Sequence, residues 1–394
     1  MKQTVLITGC DGYIGHALTL KLVKDGHNVV GLDNLTRRQY VNQMGSFSAI
    51  PIETRSERNY TLQHIGDFVF YDLTMVSDIN LRQLFNSYKF DTIINLAQQP
   101  SAPFSHKTQH HTLATTNNNL QGVINLLYVM KQQNPDAHLI HIGTMGEYDP
   151  AVGVKIPEGT FKFWHRFKRS KTSIFPRRPG SFYHASKVAA TYYIDLACRA
   201  WDLKATDIMQ GVVFGNWTPE IEQFQSHTRL DTDEAFGTVV NRFLVQAFIE
   251  HPLTVYGKGH HKRGFLSIYD SIQCLNIALN NPPQKGEYRT WNQLFSVYSI
   301  NQIAALVIDA ASYFGIKATK LNIPSPRKET TNPHYYNPDV KILRKLGYIP
   351  EHDTAHSFRD ELFFQLEELH KVPLNEQQMN TLIDVVKPKI RWSN

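Results

Sequence analysis

The segment GCDGYIG, residues 9–15, constrains the fold of this chain more than any other stretch. It lies between a β-branched run, TVLITG, and a helical stretch, HALTLKLVKDG. Glycine at Gly9, Gly12 and Gly15 permits a tight turn, close approach of the backbone to a pyrophosphate, and close packing of helix on strand. The helix then presents free N–H groups and its positive dipole end to phosphate. The segment predicts a dinucleotide-binding turn; a glycine-rich connection without a ligand is the alternative.

A second strand-like run, HNVVGLDN, supports the dinucleotide interpretation. It contains Asp33, 18 positions after Gly15, which is close to the ~20 residues expected for an acid that binds the adenosine ribose hydroxyls. An aspartate there repels a 2′-phosphate and favours NAD over NADP. Arg37 and Arg38 follow soon after and weaken that preference slightly. Asp72, after the third strand, is a candidate either for a hydrogen bond to the adenine amine or for capping the next helix.

Strand-like and helical stretches alternate through the first part of the chain. The runs TVLITG, HNVVGLDN, FVFYDL, DTIINLA and HLIHIGT have the composition of buried strands. Such alternation predicts an α/β fold, a Rossmann-type doubly wound parallel sheet with a smaller C-terminal substrate-binding lobe. The pattern continues through a helix that opens at Tyr183 and a strand, ATDIMQGVVFG. We expect residues 1–215 to form the dinucleotide-binding domain and residues 216–394 mainly the lobe, with some segments crossing back.

The bulk properties narrow the class of protein. The chain has 394 residues, of which 42% are hydrophobic and 19% charged, a globular composition. Its net charge of +6 favours anionic small ligands at least as well as nucleic acid, for which no recognised module is present. Cys10, Cys198 and Cys274 have no metal-ligand spacing and form no disulfide framework, so we expect no metal site and a reducing compartment. Without a signal peptide or membrane-spanning run, the expectation is a cytoplasmic protein that has no membrane partner.

The segment SFYHASK, residues 181–187, places Tyr183 and Lys187 on one face of a helix. Such pairs are common on helix surfaces, so the spacing alone favours a structural interpretation. A dinucleotide nearby gives the pair a chemical one. A phenol has a pKa of about 10, and a neighbouring ammonium and an oxidised nicotinamide both lower it. Tyr183 could then take a proton from a substrate hydroxyl while hydride leaves the same carbon.

The GxxGxxG spacing together with YxxxK resembles the extended short-chain dehydrogenase/reductase family, whose members act largely on nucleotide sugars. Five segments are similar to the UDP-sulfoquinovose synthases within that family: GTMGEY, SFYHASK, QGVVFG, HPLTVYGKGHHKRGF and PRKETTNPHYYNP. The similarity runs from the first strand to about residue 340, and general sugar epimerases lack several of these motifs. The resemblance therefore implies an enzyme with NAD as its cofactor and a nucleotide sugar as its substrate.

The resemblance also implies three sets of site residues. The catalytic set is Thr144, Glu147, Tyr183 and Lys187. The cofactor-binding set is Gly9, Gly12, Tyr13, Ile14, Gly15, Asp33, Asn34, Arg37, Asp72, Leu73, Asn119, Tyr183 and Lys187. The substrate-binding set is Gln99, Thr144, Met145, Gly146, Glu147, Tyr183, His184, Gln210, Thr238, Thr254, Tyr256, Arg263 and Arg327.

The implied reaction converts UDP-glucose and sulfite into UDP-sulfoquinovose, the head-group donor of sulfolipid. The sugar is oxidised at C4, loses water across C5–C6, adds sulfite at C6 and is reduced again at C4, with NAD recycled. Thr144 would bond the reacting hydroxyl, Glu147 would take the C5 proton, and His184 would lie at the sulfite end. Thr144 as a strand-end residue and His184 as an exposed helix residue are the structural alternatives.

Other functions stay open at this point. The same machinery could stop at a 4-epimer or a dehydrated sugar, as a nucleotide-sugar 4-epimerase or dehydratase without sulfite addition. A non-catalytic NAD sensor or scaffold has no need of the complete set of Thr144, Tyr183 and Lys187. The family resemblance further implies a homodimer formed through two helices of each subunit.

Two departures from the family pattern bear on the substrate. The motif EQRSAPYS appears as QQPSAPFS at residues 98–105, so Gln98 and Pro100 replace a glutamate and a substrate-contacting arginine. The segment at residues 161–178, FKFWHRFKRSKTSIFPRR, is rich in lysine and arginine. A solvated basic loop is the simpler interpretation, because charge runs usually lie in solvent. A lid that supplies the cation lost at Pro100 is the alternative.

Overall fold

The computed structural model describes residues 1–148, 155–165, 168–294, 296–325, 337–350 and 355–386. The strands are β1 (Thr4–Thr8), β2 (Asn28–Asp33), β3 (Phe68–Asp72), β4 (Thr92–Asn95), β5 (His138–Thr144), β6 (Thr160–His165), β7 (Lys168–Ile174), β8 (Lys204–Gln210), β9 (Val212–Phe214), β10 (Leu253–Tyr256), β11 (Lys262–Ser267), β12 (Tyr288–Gln293), β13 (Ser296–Ser299) and β14 (Lys320–Ile323). Every strand run predicted in the first part of the chain is present.

The helices are α1 (Tyr13–Lys24), α2 (Thr36–Gln43), α3 (Arg55–Ile65), α4 (Asp78–Ser87), α5 (Ala102–His106), α6 (Gln109–Thr116), α7 (Gly122–Gln133), α8 (Phe182–Trp201), α9 (Pro219–Phe224), α10 (Val239–Phe248), α11 (Ile268–Asn280), α12 (Ile300–Ser312), α13 (Lys341–Lys345), α14 (Ala355–His370) and α15 (Glu376–Val385). A π-helical turn, Asn117–Gln121, precedes α7, and a 3-10 turn, Met145–Glu147, follows β5. None of the described helices is both long and apolar enough to cross a membrane.

Seven parallel strands form the central sheet, in the order β12-β8-β5-β4-β1-β2-β3. Alternate residues of β1 enter different cores: Val5 and Ile7 pack with α1 and α11 on one face, and Leu6 packs with α4, α7 and α8 on the other. This doubly wound arrangement confirms the predicted fold class. The strand order reverses between β1 and β4, which opens a crevice at the carboxyl edge of the sheet.

The C-terminal half contributes to the sheet as well as to the lobe. Strand β12 pairs with β8 from Tyr288 opposite Ala205 to Gln293 opposite Gln210, and α11 packs against α1. The lobe consists of a parallel pair, β10 and β14, and a mixed sheet, β13-β11-β9, packed with α10, α12 and α14. The chain therefore crosses back into the sheet after residue 215.

Two stretches differ from the predicted local structure. The run ATDIMQGVVFG is not one strand but two, because β8 stays in the central sheet while β9 leaves it to pair with β11. The basic segment at 161–178 is not a plain loop, because β6 and β7 form an antiparallel pair through most of it. Residues 166 and 167 of that segment lie outside the described part of the chain.

Candidate active site

A cavity of about 1530 Å³ opens at the carboxyl edge of the central sheet, between the sheet and the lobe. It receives the ends of β1, β2, β4, β5 and β8, as expected for an open parallel sheet. The predicted residues in its wall are Gly9, Gly12, Tyr13, Ile14, Gly15, Asp33, Asn34, Arg37, Leu73, Gln99, Thr144, Met145, Gly146, Tyr183, His184, Lys187, Gln210, Thr238, Tyr256 and Arg263. Residues far apart in sequence thus meet in one space.

Four predicted residues within the described ranges do not line that cavity: Asp72, Asn119, Glu147 and Thr254. Asp72 is exposed at the end of β3. The Thr254 side chain turns to α10, where its hydroxyl accepts a hydrogen bond from Gln246 Nε2 at 2.8 Å. Arg327 lies outside the described residues.

The glycine turn has the geometry of a phosphate cradle. Gly9 adopts a φ of 78° and donates its N–H to Leu32 O at 2.6 Å. A Cβ on Gly15 would collide with the carbonyl oxygen of Gly9, so only glycine permits this closeness of helix and strand. Helix α1 begins after Gly12 without a side-chain cap, which leaves its first N–H groups for a ligand. These residues fit a pyrophosphate at the helix N-terminus.

Asp33 ends β2 at the cavity wall, where its carboxylate accepts N–H groups from Leu35 at 2.7 Å and Asp11 at 3.0 Å. Burial and the nearby Asp11 carboxylate raise the pKa of Asp33 to about 6. Arg37 and Arg38, which follow it, pair with carboxylates of the chain. Arg37 Nη2 lies 2.7 Å from Asp231, and Arg38 Nε lies 2.6 Å from Asp11.

Asn119 supports the cavity from behind, in the π-helical turn before α7. Its amide oxygen accepts the Gln99 N–H at 2.8 Å, and its amide nitrogen donates to Gln99 O at 3.0 Å and Ser186 Oγ at 3.1 Å. Gln99 is held in turn, with Nε2 donating to Thr115 Oγ1 at 2.7 Å. Both amides therefore fix the loop after β4 against α8.

Tyr183 and Lys187 lie in the first turns of α8, which Ser181 caps by accepting the His184 N–H at 3.0 Å. Both side chains are almost fully buried yet border the cavity. The Lys187 ammonium donates to the carbonyl of Ile142 on β5. Ile142 lies two residues before Thr144 on β5. The contact therefore holds Lys187 beside the strand that carries Thr144.

Burial shifts the pKa values of both residues in the chain alone. Burial raises the pKa of the Tyr183 phenol, and the Glu147 carboxylate acts in the same direction. Burial lowers the pKa of Lys187 to about 8, although Glu147 and Asp207 oppose that shift. The predicted lowering of the tyrosine pKa therefore needs the positive charge of an oxidised nicotinamide in addition to the lysine.

Glu147 lies behind the cavity wall rather than in it. Its side chain is 0% exposed and forms an ion pair with Arg177, which is 1% exposed. Its other oxygen accepts the Thr144 N–H at 3.2 Å. Burial raises the pKa of Glu147 to about 7, against the opposing charge of Arg177. The prediction that Glu147 takes a proton from the sugar is therefore not supported by this arrangement, because a carboxylate bonded on both sides does not face the substrate space.

His184 does face the cavity. Its Nδ1 lies 2.8 Å from Ser181 Oγ, and the opposite edge of the ring packs on Gly146, where a Cβ would collide with Nε2. Gln98, at the end of β4, also lines the cavity, and both of its side-chain polar atoms lack a hydrogen-bond partner among the described residues. Pro100 is exposed beside it in the wall. The two departures from the family pattern thus border the same space as His184.

The lobe end of the cavity is lined by a cationic side chain that the sequence motifs did not predict. Arg242, on α10, is 5% exposed, lines the cavity, and donates to Thr254 O at 3.1 Å and to the Tyr256 hydroxyl at 3.3 Å. Its guanidinium carbon lies 4.8 Å from the centre of the Tyr256 ring. Only the FGTVVNRF pattern, which puts an arginine on an otherwise apolar helix face, could have drawn attention to it.

The charge of the cavity suits an anionic ligand. Within the described ranges, the cationic side chains in the wall are those of Arg37, Arg178, Lys187, Arg242 and Arg263, and the carboxylates are those of Asp33 and Glu234. A surplus of guanidinium groups favours phosphate, to which they can donate in pairs. In the same part of the chain, no group of three or more histidine, cysteine, aspartate or glutamate side chains could hold a metal ion.

Comparisons with known proteins agree with this geometry. Residues 5–292 match the model of the NAD dependent epimerase/dehydratase family. The chain is 38% identical over 359 residues to the chloroplastic UDP-sulfoquinovose synthase of Spinacia oleracea. This alignment covers 89% of this chain and 72% of that protein. The chain is 40% identical over 354 residues to the UDP-sulfoquinovose synthase of Sulfolobus acidocaldarius, which covers 88% of each.

Among solved structures, the UDP-glucose 4-epimerase of Thermotoga maritima with UDP-glucose superposes with a TM-score of 0.70. The match covers 93% of this chain and 99% of that one at 19% identity. At this identity the likeness shows the shared fold.

Proposed function

Because the chain belongs to the NAD dependent epimerase/dehydratase family, we propose that it is a UDP-sulfoquinovose synthase. The observation that carries this proposal is its identity of 38% and 40% to synthases of a plant and an archaeon, each over most of the chain. The family makes the chain an NAD-dependent enzyme, as the glycine turn and Asp33 predicted. A 4-epimerase or dehydratase of the same family is the competing function.

The glycine turn and β2 would hold the cofactor. The N–H groups after Gly12 would meet the pyrophosphate, and Asp33 would bond the adenosine ribose and disfavour a 2′-phosphate. NAD, when bound, accepts a hydride from the sugar and returns it. The pairing of Arg37 with Asp231 and of Arg38 with Asp11 leaves Asp33 as the charge that decides between NAD and NADP.

Thr144, Tyr183 and Lys187 would act at C4 of the sugar. Tyr183 would take the proton of the C4 hydroxyl, and Thr144 would hold that hydroxyl by a hydrogen bond. The Lys187 ammonium, fixed to Ile142 O, would supply the positive charge that favours the phenolate. The 4-ketone so formed acidifies the hydrogen at C5, which prepares the loss of water.

The sulfite end of the sugar would lie near His184. His184 borders the cavity beside Gly146, and Gln98 and Pro100 occupy the neighbouring wall. Gln98 offers an amide that has no partner among the described residues, suited to a polar ligand group. Arg178, at the end of the basic segment, also lines the cavity and would be a candidate for the cation lost at Pro100.

The lobe would bind the nucleotide. Arg263 and Arg242 would face the diphosphate, and the Tyr256 ring, held by Arg242, would frame the uracil. Thr238 precedes α10 with a buried hydroxyl that no described group bonds, so it is available to the ligand. Arg242 adds a cation to the substrate set proposed from the motifs.

Product mass tests the function directly. Purified protein with its bound NAD is incubated with UDP-glucose, with and without sulfite, and the nucleotide sugars are analysed by mass spectrometry. A synthase yields a sulfonated nucleotide sugar only when sulfite is present. With sulfite present, a product of unchanged mass that separates from UDP-glucose in chromatography would indicate an epimerase, and a product lighter by one water would indicate a dehydratase.

We also infer a homodimer in which α6 and α8 of two subunits pack together. Several large apolar side chains on neighbouring helices are about half exposed, which is costly unless a partner covers them. They are Leu113 on α6, Tyr128 on α7, and Phe182, Tyr192, Tyr193 and Leu196 on α8. A cytoplasmic location and a role in sulfolipid synthesis stay predictions.

A further inference from the structure

The ion pair of Glu147 and Arg177 contacts the segments that carry the proposed catalytic residues. Arg177 comes from the end of the basic segment, and the next residue, Arg178, donates its N–H to Glu147 O at 3.0 Å. Glu147 accepts the Thr144 N–H at 3.2 Å, so the pair is tied to the turn that carries Thr144. The Arg177 guanidinium also lies 5.1 Å from the centre of the Tyr148 ring.

The same pair also contacts α8, the helix that carries Tyr183 and Lys187. Arg177 Nη1 lies 3.4 Å from Thr191 Oγ1, and Thr191 is one helical turn beyond Lys187 on α8. Thr191 donates to Asp207 on β8 at 2.7 Å. Glu147 and Arg177 therefore contact α8 one turn beyond Lys187, and neither lines the cavity.

A buried charge at this place acts on its neighbours, because the protein interior screens charge poorly. Among the described residues, six titratable or charged groups surround the pair. They come from β5, the turn after it, α8, β8 and β12, and are His141, Tyr148, Tyr183, Lys187, Asp207 and Tyr288. The Arg177 cation offsets the field of the Glu147 carboxylate, which by itself raises the pKa of Tyr183 and of Lys187.

We propose that Glu147 and Arg177 form a positioning pair for Tyr183 and Lys187, and that Glu147 acts on the reaction through those residues rather than on the sugar. Arg177 keeps the carboxylate behind the cavity wall, and Glu147 compensates the guanidinium charge beneath α8. The inference rests on the proposed role of Tyr183 as the base at C4. It is an alternative to the hypothesis that Glu147 is the base at C5.

The sign of the effect follows from the charges. In Glu147→Gln, the amide keeps the hydrogen bond to Thr144 N while the guanidinium charge loses its partner. An uncompensated cation lowers the pKa of the Tyr183 phenol and of the Lys187 ammonium, because it favours the less positive form of each. At an effective dielectric constant of about 20, a unit charge within about 10 Å changes each pKa by about one pH unit or more.

The test is the pH dependence of NAD reduction by UDP-glucose in a single turnover, followed by nicotinamide absorbance. Both limbs of the profile are expected to move down by about one pH unit in Glu147→Gln. They are expected to return in Glu147→Gln with Arg177→Met, where neither charge remains. Arg199→Met is the matched control, because Arg199 also pairs with a carboxylate on α8 but is 61% exposed, and its profile stays that of the wild type.

A second readout needs no turnover. Protein loaded with NAD and labelled with ¹³C at the tyrosine Cζ gives a Tyr183 resonance, assigned from its loss in Tyr183→Phe. Its titration is expected to follow the same order, lower in Glu147→Gln and restored in the double variant. If Glu147→Gln alone does not fold, because a buried guanidinium is left unpaired, Arg177→Lys keeps both charges and is expected to keep the wild-type titration.

Four results would overturn the proposal. An unchanged profile and resonance in Glu147→Gln would mean that the pair is only structural. A double variant that keeps the shift of the single one would remove the Arg177 charge from the effect. A shift of a full pH unit in Arg177→Lys, which conserves that charge, would show that charge compensation is not the cause. The remaining result concerns exchange of the sugar's C5 hydrogen with deuterated water. If Glu147→Gln reduced NAD normally but lost this exchange, Glu147 would be the base at C5. Wild-type protein that does not reduce NAD with UDP-glucose would instead contradict the proposed function, while the Tyr183 titration still tests the pair.

Discussion

At the scale of single residues, Tyr183 depends on its surroundings for its chemistry. Burial and Glu147 raise the pKa of its phenol, so in the chain alone it is a poor base. Only the lysine and an oxidised nicotinamide together can oppose that shift. We expect Tyr183→Phe to lower turnover of UDP-glucose by at least ~10²–10⁴, while NAD stays bound, because the glycine turn and Asp33 are unchanged. Turnover is measured by product formation, and bound NAD is measured by extraction after denaturation.

Tyr193→Phe is the control for this residue. It makes the same change on the same helix at a side chain that is 45% exposed, and it should keep wild-type turnover. Near-normal turnover in Tyr183→Phe would remove Tyr183 from the mechanism.

At the scale of one element, β5 carries two histidines in the middle of the sheet. His138 is 1% exposed and lies 2.8 Å from Thr206 Oγ1, and burial lowers its pKa to about 3. Below pH ~6.5 the unfolded chain takes up a proton that the folded chain refuses, so stability is lost as the pH falls from about 6.5 towards 3, by about 1.4 kcal/mol per pH unit for one such group. The loss in unfolding free energy between pH 7 and 5.5 should be about 1 kcal/mol smaller in His138→Gln than in the wild type.

Chemical denaturation at the two pH values measures this difference. His110→Gln is the control, because His110 is exposed on α6 and the change should leave the pH dependence as it is. An equal loss in His138→Gln and the wild type would show that His138 is not the group responsible.

At the scale of the whole molecule, exposed apolar side chains occur on α8, the helix that carries the catalytic pair, and on its neighbours α6 and α7. Tyr192 and Leu196 are one turn apart and 45% and 50% exposed. Size-exclusion chromatography with light scattering should give the mass of a dimer for the wild type. Replacing both side chains with glutamate should give a monomer, because buried like charges oppose association.

Tyr313→Glu is the control for the dimer, because Tyr313 is 62% exposed at the end of α12, away from this surface. It should keep the dimeric mass. A wild-type protein of monomeric mass, or a doubly substituted variant that stays dimeric, would contradict the proposed interface.

Local patterns in the sequence determined the class of fold and much of the site. Glycine spacing fixed the turn between β1 and α1, and β-branched runs fixed the strands of the first part of the chain, because both depend on residues close in sequence. The positions of Asp33, Thr144, Tyr183 and Lys187 at the ends of these elements follow from the same patterns, since the carboxyl ends of parallel strands meet at one edge.

Only the tertiary structure decided what the charged residues do. The motif that contains Glu147 says nothing of Arg177, which reaches it from a different segment and closes it off from the cavity. Likewise, Arg242 lines the cavity because α10 packs beside β10. Strand β12 pairs with β8 in the central sheet although the intervening segment forms much of the lobe. These outcomes depend on burial and on contacts between segments distant in sequence, where desolvation and pairing decide whether a charge faces a ligand or the protein.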